Sequence, residues 1–266
     1  MRQILVIAAS VLLTGITNGC VFQDRSGCPA YLSLDFSGTQ DEVSDIHLVI
    51  RQEDGHIYRD TLHKDEFRNV YELPVRRGKV DLAAFGNIDR MAFDDGFLIE
   101  QGNDADNLFT FFLSATYDQD LSFDTVTLRK DFTGLHIRIA GEQHDSLEIS
   151  IECNSVGYGL DGKIIEGRFI HYPESSFIDD GNMHYYDFFS RITRQMDTSL
   201  TLTVSSCSGA RATVAVIPLS GYLSEAGIDM ESAGISDLFL TFDISRSSLV
   251  ISTESWTSTE HINITI

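Results

Sequence analysis

The sequence predicts an all-β protein made of two β-sandwich domains in tandem. Apolar and polar residues alternate with period two in about fourteen segments rich in β-branched and aromatic residues. Turn pairs such as Asp54-Gly55, Arg77-Gly78 and Asp161-Gly162 separate these segments. The 266 residues are 42% hydrophobic and 10% aromatic, which is enough for packed cores. Since one sandwich holds about seven strands, the segments suffice for two.

The elements follow one another with few helical patterns between them. The predicted strands are residues 31–36, 46–50, 70–75, 79–85, 108–113, 125–128, 135–139, 147–151, 163–171, 200–204, 212–217, 238–244, 249–252 and 262–266. Short helices are expected only at 185–194 and 219–226. We place the boundary so that an N-terminal domain covers 29–133 and a C-terminal domain 134–266. No Pro- or Ser-rich linker lies there, so we expect the two halves to pack against each other.

The N-terminus has the pattern of an exported lipoprotein. Arg2 precedes an apolar run at 4–13 that is too short to span a bilayer but fits a secretory signal. The run ends in Gly19-Cys20, a small residue before a cysteine that resembles the lipobox of bacterial lipoproteins. Residues 1–19 are therefore predicted to be a signal peptide cleaved between Gly19 and Cys20, with 20–28 a segment lipidated on the Cys20 thiol. The alternative is an ordinary signal peptide cleaved nearby, with Cys20 a plain thiol.

The charge excludes several classes of partner. With 40 acidic and 19 basic residues, the formal net charge is −21. Nucleic acid is excluded because its binding depends on neutralising phosphates with Lys and Arg. Anionic lipid headgroups would also be repelled. The predicted membrane contact is therefore through N-terminal acyl chains, whose burial contributes about 0.8 kcal/mol per CH₂.

Three cysteines remain after Cys20. Cys28, Cys153 and Cys207 are an odd number, so one is unpaired in an oxidising compartment. Cys153 and Cys207 each follow a strand-like run, and we favour two buried thiols over a bridge between them. No pair has the CxxC spacing of a zinc site.

The motif search favours a non-enzymatic protein without metal, cofactor or small-molecule substrate. HExxH, GxSxG and P-loop patterns are missing from the sequence. One GxGxxG occurs at 157–162, but a strand follows it where a dinucleotide site needs a helix, so we interpret it as a glycine-rich hairpin. Acidic clusters occur at Asp94-Asp95, Asp104 and Asp106, Asp118 and Asp120, and Asp179-Asp180. They lack EF-hand spacing, and solvated turns are favoured over a weak calcium site.

The start of the predicted mature chain resembles one known family. Cys20 is followed by Asp24-Arg25, then Cys28-Pro29 and an alternating strand at 31–36. This combination is similar to the FimB and minor-fimbrium anchor lipoproteins of Bacteroidetes. The stretches 80–87, 125–139 and 238–266, the last including Trp256, resemble the same family, so the likeness covers essentially the whole mature chain.

The resemblance implies two transthyretin-like Greek-key sandwiches and a lipid-tethered location on the outer membrane, exposed at the cell surface. It also implies a protein partner, a fimbrial stalk subunit joined through β-strand interactions. We hypothesise that the strand at 31–36 stays in place because the tether is attached just upstream. Contact with the stalk would then use another edge, the C-terminal strand Ile262, Asn263, Ile264, Thr265 and Ile266. The alternative is a surface lipoprotein that binds glycan or protein and has no part in a fimbria.

Overall fold

The structure, a computed structural model, describes residues 28–67, 70–88, 96–140, 146–179, 184–195, 197–207, 210–230, 235–244, 246, 248–252 and 260–262. In the first half, the strands are β1 (Ala30–Asp35), β2 (Asp45–Gln52), β3 (Ile57–His63), β4 (Tyr71–Val75), β5 (Gly78–Gly86), β6 (Gly96–Leu98), β7 (Phe109–Tyr117), β8 (Leu121–Thr125) and β9 (Arg129–Lys130). In the second half, the strands are β10 (Phe132–Ala140), β11 (Leu147–Gly159), β12 (Ile164–His171), β13 (Ser175–Asp179), β14 (His184–Thr193), β15 (Thr201–Ser206), β16 (Ala212–Pro218), β17 (Leu238–Asp243), β18 (Ser248–Ser252) and β19 (Glu260–Ile262). The helix α1 (Leu219–Glu225) is the one helix within these ranges, and the predicted all-β class is confirmed.

The first half of the described chain forms two facing sheets, in the orders β4-β1-β8 and β3-β2-β5-β7-β9. β1 is the middle strand of the smaller sheet, antiparallel to β4 and parallel to β8. Alternate side chains point into the space between the sheets, where Leu32 and Leu34 meet Leu48 and Leu82. The period-two alternation of the sequence is therefore the inward face of each strand.

The second half repeats this plan. One sheet has the order β13-β14-β10-β17-β18-β19, and the other is β12-β11-β15-β16 with β6 also paired to β11. Like β1, β10 lies between an antiparallel neighbour, β14, and a parallel one, β17. Ile137 and Leu240 from the first sheet belong to one core with Ile149 and Leu202 from the second.

The five-stranded sheet of the first half is covered on both faces. In β5, Leu82 and Ala84 face the core of the first sandwich, while Ala83 and Phe85 belong to the core of the second. The expectation that the halves pack together is thereby confirmed. β9 ends at Lys130 in one sheet and β10 begins at Phe132 in another, and the division after residue 133 stays a prediction.

β6 ties the halves together through the backbone. It lies between β5 and β7 in the chain but pairs with β11 of the other half, with Leu98 opposite Gly157. A Cβ at position 157 would lie 1.8 Å from the Phe97 carbonyl oxygen. Only glycine allows this approach of the two backbones.

Two predicted elements are wrong. Residues 185–194 are not a helix, because β14 occupies 185–193 and Tyr186, Phe188 and Ile192 alternate inward with period two. Residues 125–128 are not a strand either, since β8 ends at Thr125. The following connection is buried because Val126 and Leu128 fill the first core, and their spacing imitates a strand.

The remaining predictions agree well with the structure. The helix predicted at 219–226 is α1, held by Leu219 and Leu223, which are both buried. Six strands, β3, β6, β8, β9, β13 and β14, have no counterpart among the predicted strands. The predicted strand 262–266 overlaps β19 at Ile262, and its other residues lie outside the described part of the chain.

Candidate functional site

The predicted attachment site lies just upstream of the described chain. Gly19 and Cys20 are outside the described residues, which begin at the exposed Cys28. β1 starts two residues later, at Ala30. Because an extended residue spans about 3.5 Å, the ten residues from Cys20 to Ala30 reach at most about 35 Å. A lipid on Cys20 would keep the start of β1 within that distance of the membrane.

β1 is an integral part of the first sandwich. Ala30, Leu32, Leu34 and Phe36 are each fully buried in the core. Burial of a Leu or Phe side chain contributes about 1.5–3 kcal/mol. β1 also pairs along its whole length with β4 and β8. β1 therefore completes its own sandwich, with both of its edges paired.

The C-terminal strand lies at an edge. β19 pairs only with β18 within the described residues, with Ile262 opposite Leu249. An edge strand presents unpaired N–H and C=O groups that another strand can use. Of the five residues predicted to contact a partner, Ile262 alone is described; Asn263, Ile264, Thr265 and Ile266 lie outside.

Apolar side chains are exposed on the outer face of the small sheet. Tyr31, Leu121 and Phe123 are 51%, 48% and 64% exposed. Tyr31 lies opposite Leu121 in the β1–β8 ladder, and Phe123 follows two residues along β8. These three side chains lie on β1 and β8, and β8 is the last strand of this sheet among the described residues. Contiguous exposed apolar side chains are typical of contact surfaces.

The connection between the halves is held by a buried ion pair that sequence reasoning missed. Asp131 and Arg194 are almost completely buried, with Nε of Arg194 2.6 Å from Oδ1 of Asp131. Nη1 and Nη2 of Arg194 donate to the carbonyl oxygens of Met230 and Lys130, at 2.5 and 2.7 Å. Arg129 also approaches Asp131 Oδ1, at 2.9 Å. Since Asp131 separates β9 from β10, this network fixes the crossing between the two sandwiches.

A second polar contact holds the segment between β6 and β7. His171 Nε2 lies 3.0 Å from Asp104 Oδ1, and Nδ1 lies 2.9 Å from the Gly102 carbonyl oxygen. Burial lowers the pKa of His171, but the hydrogen bonds to these two acceptors outweigh it, so the pKa lies above the ordinary 6.5. Burial likewise raises the pKa of Asp104, but hydrogen bonds from His171, Ser190 and the Arg191 backbone outweigh it and the pKa is lowered.

The cysteines are far apart. Cys153 is buried and Cys207 is half-exposed, so the prediction of two buried thiols is right for Cys153 only. In the β11–β15 ladder, Glu152 lies opposite Thr201 and Leu147 opposite Ser206. The two cysteines follow these opposite ends and are about 20 Å apart. A disulfide needs Cα atoms within about 7 Å, so the alternative of a disulfide between Cys153 and Cys207 does not hold.

Three of the four acidic clusters have one member in an ion pair. Asp104 pairs with His171, Asp120 with Arg77, and Asp179 with His184. Among the described residues, no group of three or more His, Cys, Asp or Glu side chains could hold a metal ion. Asp94, Asp95 and Asp180 lie outside this part of the chain.

The glycine motif at 157–162 forms a hairpin, as interpreted. β11 and β12 pair from Tyr158–Ile164 onward, and the Gly159 N–H donates to the Lys163 carbonyl oxygen. Gly162 has φ +77°, and a Cβ there would lie 2.9 Å from the Phe112 ring. The glycines serve the turn and the packing between the halves.

Comparison with known proteins finds structural likeness only. No protein-family model and no curated protein matches the sequence. The fimbrial anchor protein Mfa2 from Porphyromonas gingivalis superimposes with a TM-score of 0.64 at 14% identity, over 85% of this chain and 98% of that one. This chain has the fold of Mfa2.

Two further solved structures share the fold. A "putative adhesin" from Bacteroides ovatus gives a TM-score of 0.66 at 11% identity, covering 86% of this chain and 94% of that one. A protein from Bacteroides thetaiotaomicron, named among "putative polysaccharide binding proteins", gives 0.62 at 12% identity, with 85% and 96% covered. No helix among the described residues is long and apolar enough to cross a membrane.

Proposed function

We propose that this protein is a non-enzymatic anchor and assembly subunit of a surface fimbria, lipid-tethered to the outer membrane through Cys20. The observation that carries the proposal is β1. This strand lies ten residues after the lipobox-like Cys20, fills the first core and pairs on both sides. A first sandwich that is already complete next to a tether suits the terminal, membrane-bound subunit of an assembly. The likeness to the fimbrial anchor protein Mfa2 over nearly the whole of both chains supports this proposal.

The partner is a fimbrial stalk subunit, and the proposed contact is strand addition at the C-terminal edge. Within the described part of the chain, β19 pairs on one side only, with β18, which leaves its other side for an added strand. An added strand would form ladder hydrogen bonds and bury alternate side chains. Because β1 stays in its own sheet, the stalk is held without opening the first sandwich.

Two variants in the native organism test the proposal. Cys20→Ala should abolish palmitate labelling and release the lipoprotein and its fimbriae into the medium together. Deleting residues 260–266 should release fimbriae alone, while the labelled, folded lipoprotein stays in the membrane fraction. The two variants thus separate the tether from the docking edge.

Each outcome bears on a different part of the proposal. Persistent palmitate labelling of Cys20→Ala would show that the lipobox interpretation is wrong. Unchanged attachment of fimbriae in the deletion variant would contradict docking at the C-terminal edge. If the purified lipoprotein captures no polymeric protein partner, the alternative of a lipoprotein unrelated to fimbriae replaces the anchor.

A further inference from the structure

A cleft of about 580 Å³ opens between the two halves. One wall is formed where strands of the five-stranded sheet end, with Arg51 near the end of β2 and Lys79 and Asp81 near the start of β5. The other wall is the hairpin between β11 and β12, including Asp161 and Lys163. Clefts of this size at the junction of two packed units are typical binding sites for small ligands.

The cleft is locally cationic in a strongly acidic protein. Lys79 Nζ lies 3.4 Å from Asp81 Oδ1, and Lys163 Nζ lies 2.7 Å from Asp161 Oδ2. The charges cancel within each of these two pairs, so Arg51 carries the net positive charge of the residues that line the cleft. The chain as a whole carries a net charge of −21, so a positive cleft is contrary to the average surface.

One nitrogen of Arg51 lacks a hydrogen bond within the described part of the chain. Its Nε is buried and has no hydrogen-bond partner among the described residues. Asp81, directly opposite Arg51 in the β2–β5 ladder, accepts a hydrogen bond from Ser114 Oγ at 2.6 Å instead. The guanidinium also carries two terminal nitrogens, and its planar fork suits the oxygens of a carboxylate or sulfate group.

An aromatic ring lines the same cleft as Arg51. Phe112 lines the cleft and is fixed by Phe85 at 5.6 Å and Tyr158 at 6.1 Å between ring centroids. Gly162 also lies against it and has no side chain to displace the ring. A ligand that satisfies both features carries an anionic group and a flat apolar face. Sugars with a carboxylate or sulfate group have this combination, because their axial C–H groups form an apolar face.

We propose that the cleft binds an acidic saccharide, with its anionic group on Arg51 and its ring against Phe112. The negative field of the whole protein opposes long polyanions, which favours a short acidic sugar or a chain end. This field is screened beyond about 8 Å at physiological ionic strength, whereas the contact inside the cleft is not. The site is independent of the fimbrial contact at the C-terminal edge.

The test is calorimetric titration of the full mature protein at physiological salt with trigalacturonate, a sulfated chondroitin disaccharide, neutral maltotriose and a tetraglutamate peptide. An acidic sugar should bind, and Arg51→Gln should weaken it by about tenfold or more, the loss of about 1.4 kcal/mol. Arg76→Gln is the matched control, since Arg76 is exposed and pairs with Asp54 outside the cleft. It should bind like the wild type.

Four results would overturn the proposal: no binding of either acidic sugar at millimolar concentration, equal binding of maltotriose, tighter binding of tetraglutamate, or equal losses in both Arg variants. Thermal unfolding should show that Arg51→Gln folds normally. If Arg51→Gln does not fold, Lys163→Gln replaces it, because the Lys163 side chain is 82% exposed and its loss should not affect folding. Lys163→Gln should weaken sugar binding several-fold, and undiminished binding by this variant would also overturn the proposal. Fimbrial attachment should be unchanged in Arg51→Gln, so failure here is distinct from failure of the anchor function.

Discussion

Replacing Arg194 by Gln should destabilise the protein far more than removing an equally short ion pair at the surface. Arg194 Nε lies 2.6 Å from Asp131 Oδ1, and both side chains are 0% exposed. Arg168 Nε lies at the same 2.6 Å from Glu152 Oε1, but these side chains are 66% and 42% exposed. The two pairs share donor atom, acceptor type and distance and differ in burial.

The expected magnitudes follow from that difference. Breaking a buried pair by removing one partner costs about 3–5 kcal/mol, because the remaining charge stays desolvated. Arg129 still approaches Asp131 at 2.9 Å, which favours the lower end of this range. The carbonyl oxygens of Met230 and Lys130 lose their donors, which acts in the opposite direction. An exposed pair contributes about 0.2–1 kcal/mol.

Urea unfolding followed by circular dichroism measures both. With a denaturant slope of about 3 kcal/mol per M, the midpoint of Arg194→Gln should fall by about 1–2 M, and that of Arg168→Gln by about 0.3 M or less. The double variant Asp131→Asn/Arg194→Gln should lose less than the sum of the two single variants, because the residues share one network. Equal midpoints for Arg194→Gln and Arg168→Gln would show that burial does not determine the cost of breaking these ion pairs.

Three further predictions concern pH, backbone packing and thiols. Because the pKa of His171 is raised in the folded protein, the stabilisation from its protonated side chain is complete below pH 6.5 and is lost as the pH rises through the folded-state pKa. His171→Gln should therefore flatten this part of the plot of unfolding free energy against pH. An unchanged plot would contradict the prediction. Gly157→Ala should lower the free energy of unfolding measured in urea by more than about 2 kcal/mol. Gly221→Ala, which places a methyl group in open space on α1, should raise it by about 0.5–1 kcal/mol. Equal effects would show that the β6 and β11 backbones do not require glycine at position 157. In the native protein, iodoacetamide should label the half-exposed Cys207 at least about tenfold faster than the buried Cys153. Mass spectrometry of the digested peptides measures both rates. Faster labelling of Cys153 would be inconsistent with its burial.

Most strands could be predicted because one of their faces is buried. β1, β2 and β10 carry alternating apolar residues whose inward members form the cores. Alternation fails as a signal where the packing is irregular. Val126 and Leu128 are buried in a connection that is not a strand, so their spacing led to a false strand. The sequence predicts a helix at 185–194, whereas Tyr186, Phe188 and Ile192 of β14 alternate inward as in a strand.

The junction could not be predicted because its contacts are far apart in sequence. Asp131 and Arg194 are 63 residues apart, and neither has a local pattern that distinguishes it from a surface charge. β6 is three residues long and is defined by its pairing with β11, so no local propensity predicts it. The cleft around Arg51 has the same origin, since its walls come from strands in different halves. Only the glycine motif at 157–162 gave a local signal, and it indicated a hairpin rather than the contacts that the hairpin makes.

The position of β1 determines how the protein would respond to mechanical load. A pull on the chain upstream of Ala30, directed along β1, acts parallel to the strand and perpendicular to its ladder hydrogen bonds. Five residue pairs to β4 and five to β8 resist together. In this shear geometry the bonds must break at once, whereas a strand peeled from one end loses them one by one. A tether attached at this point would therefore draw on the full strength of the first sheet each time the cell surface is sheared by flow.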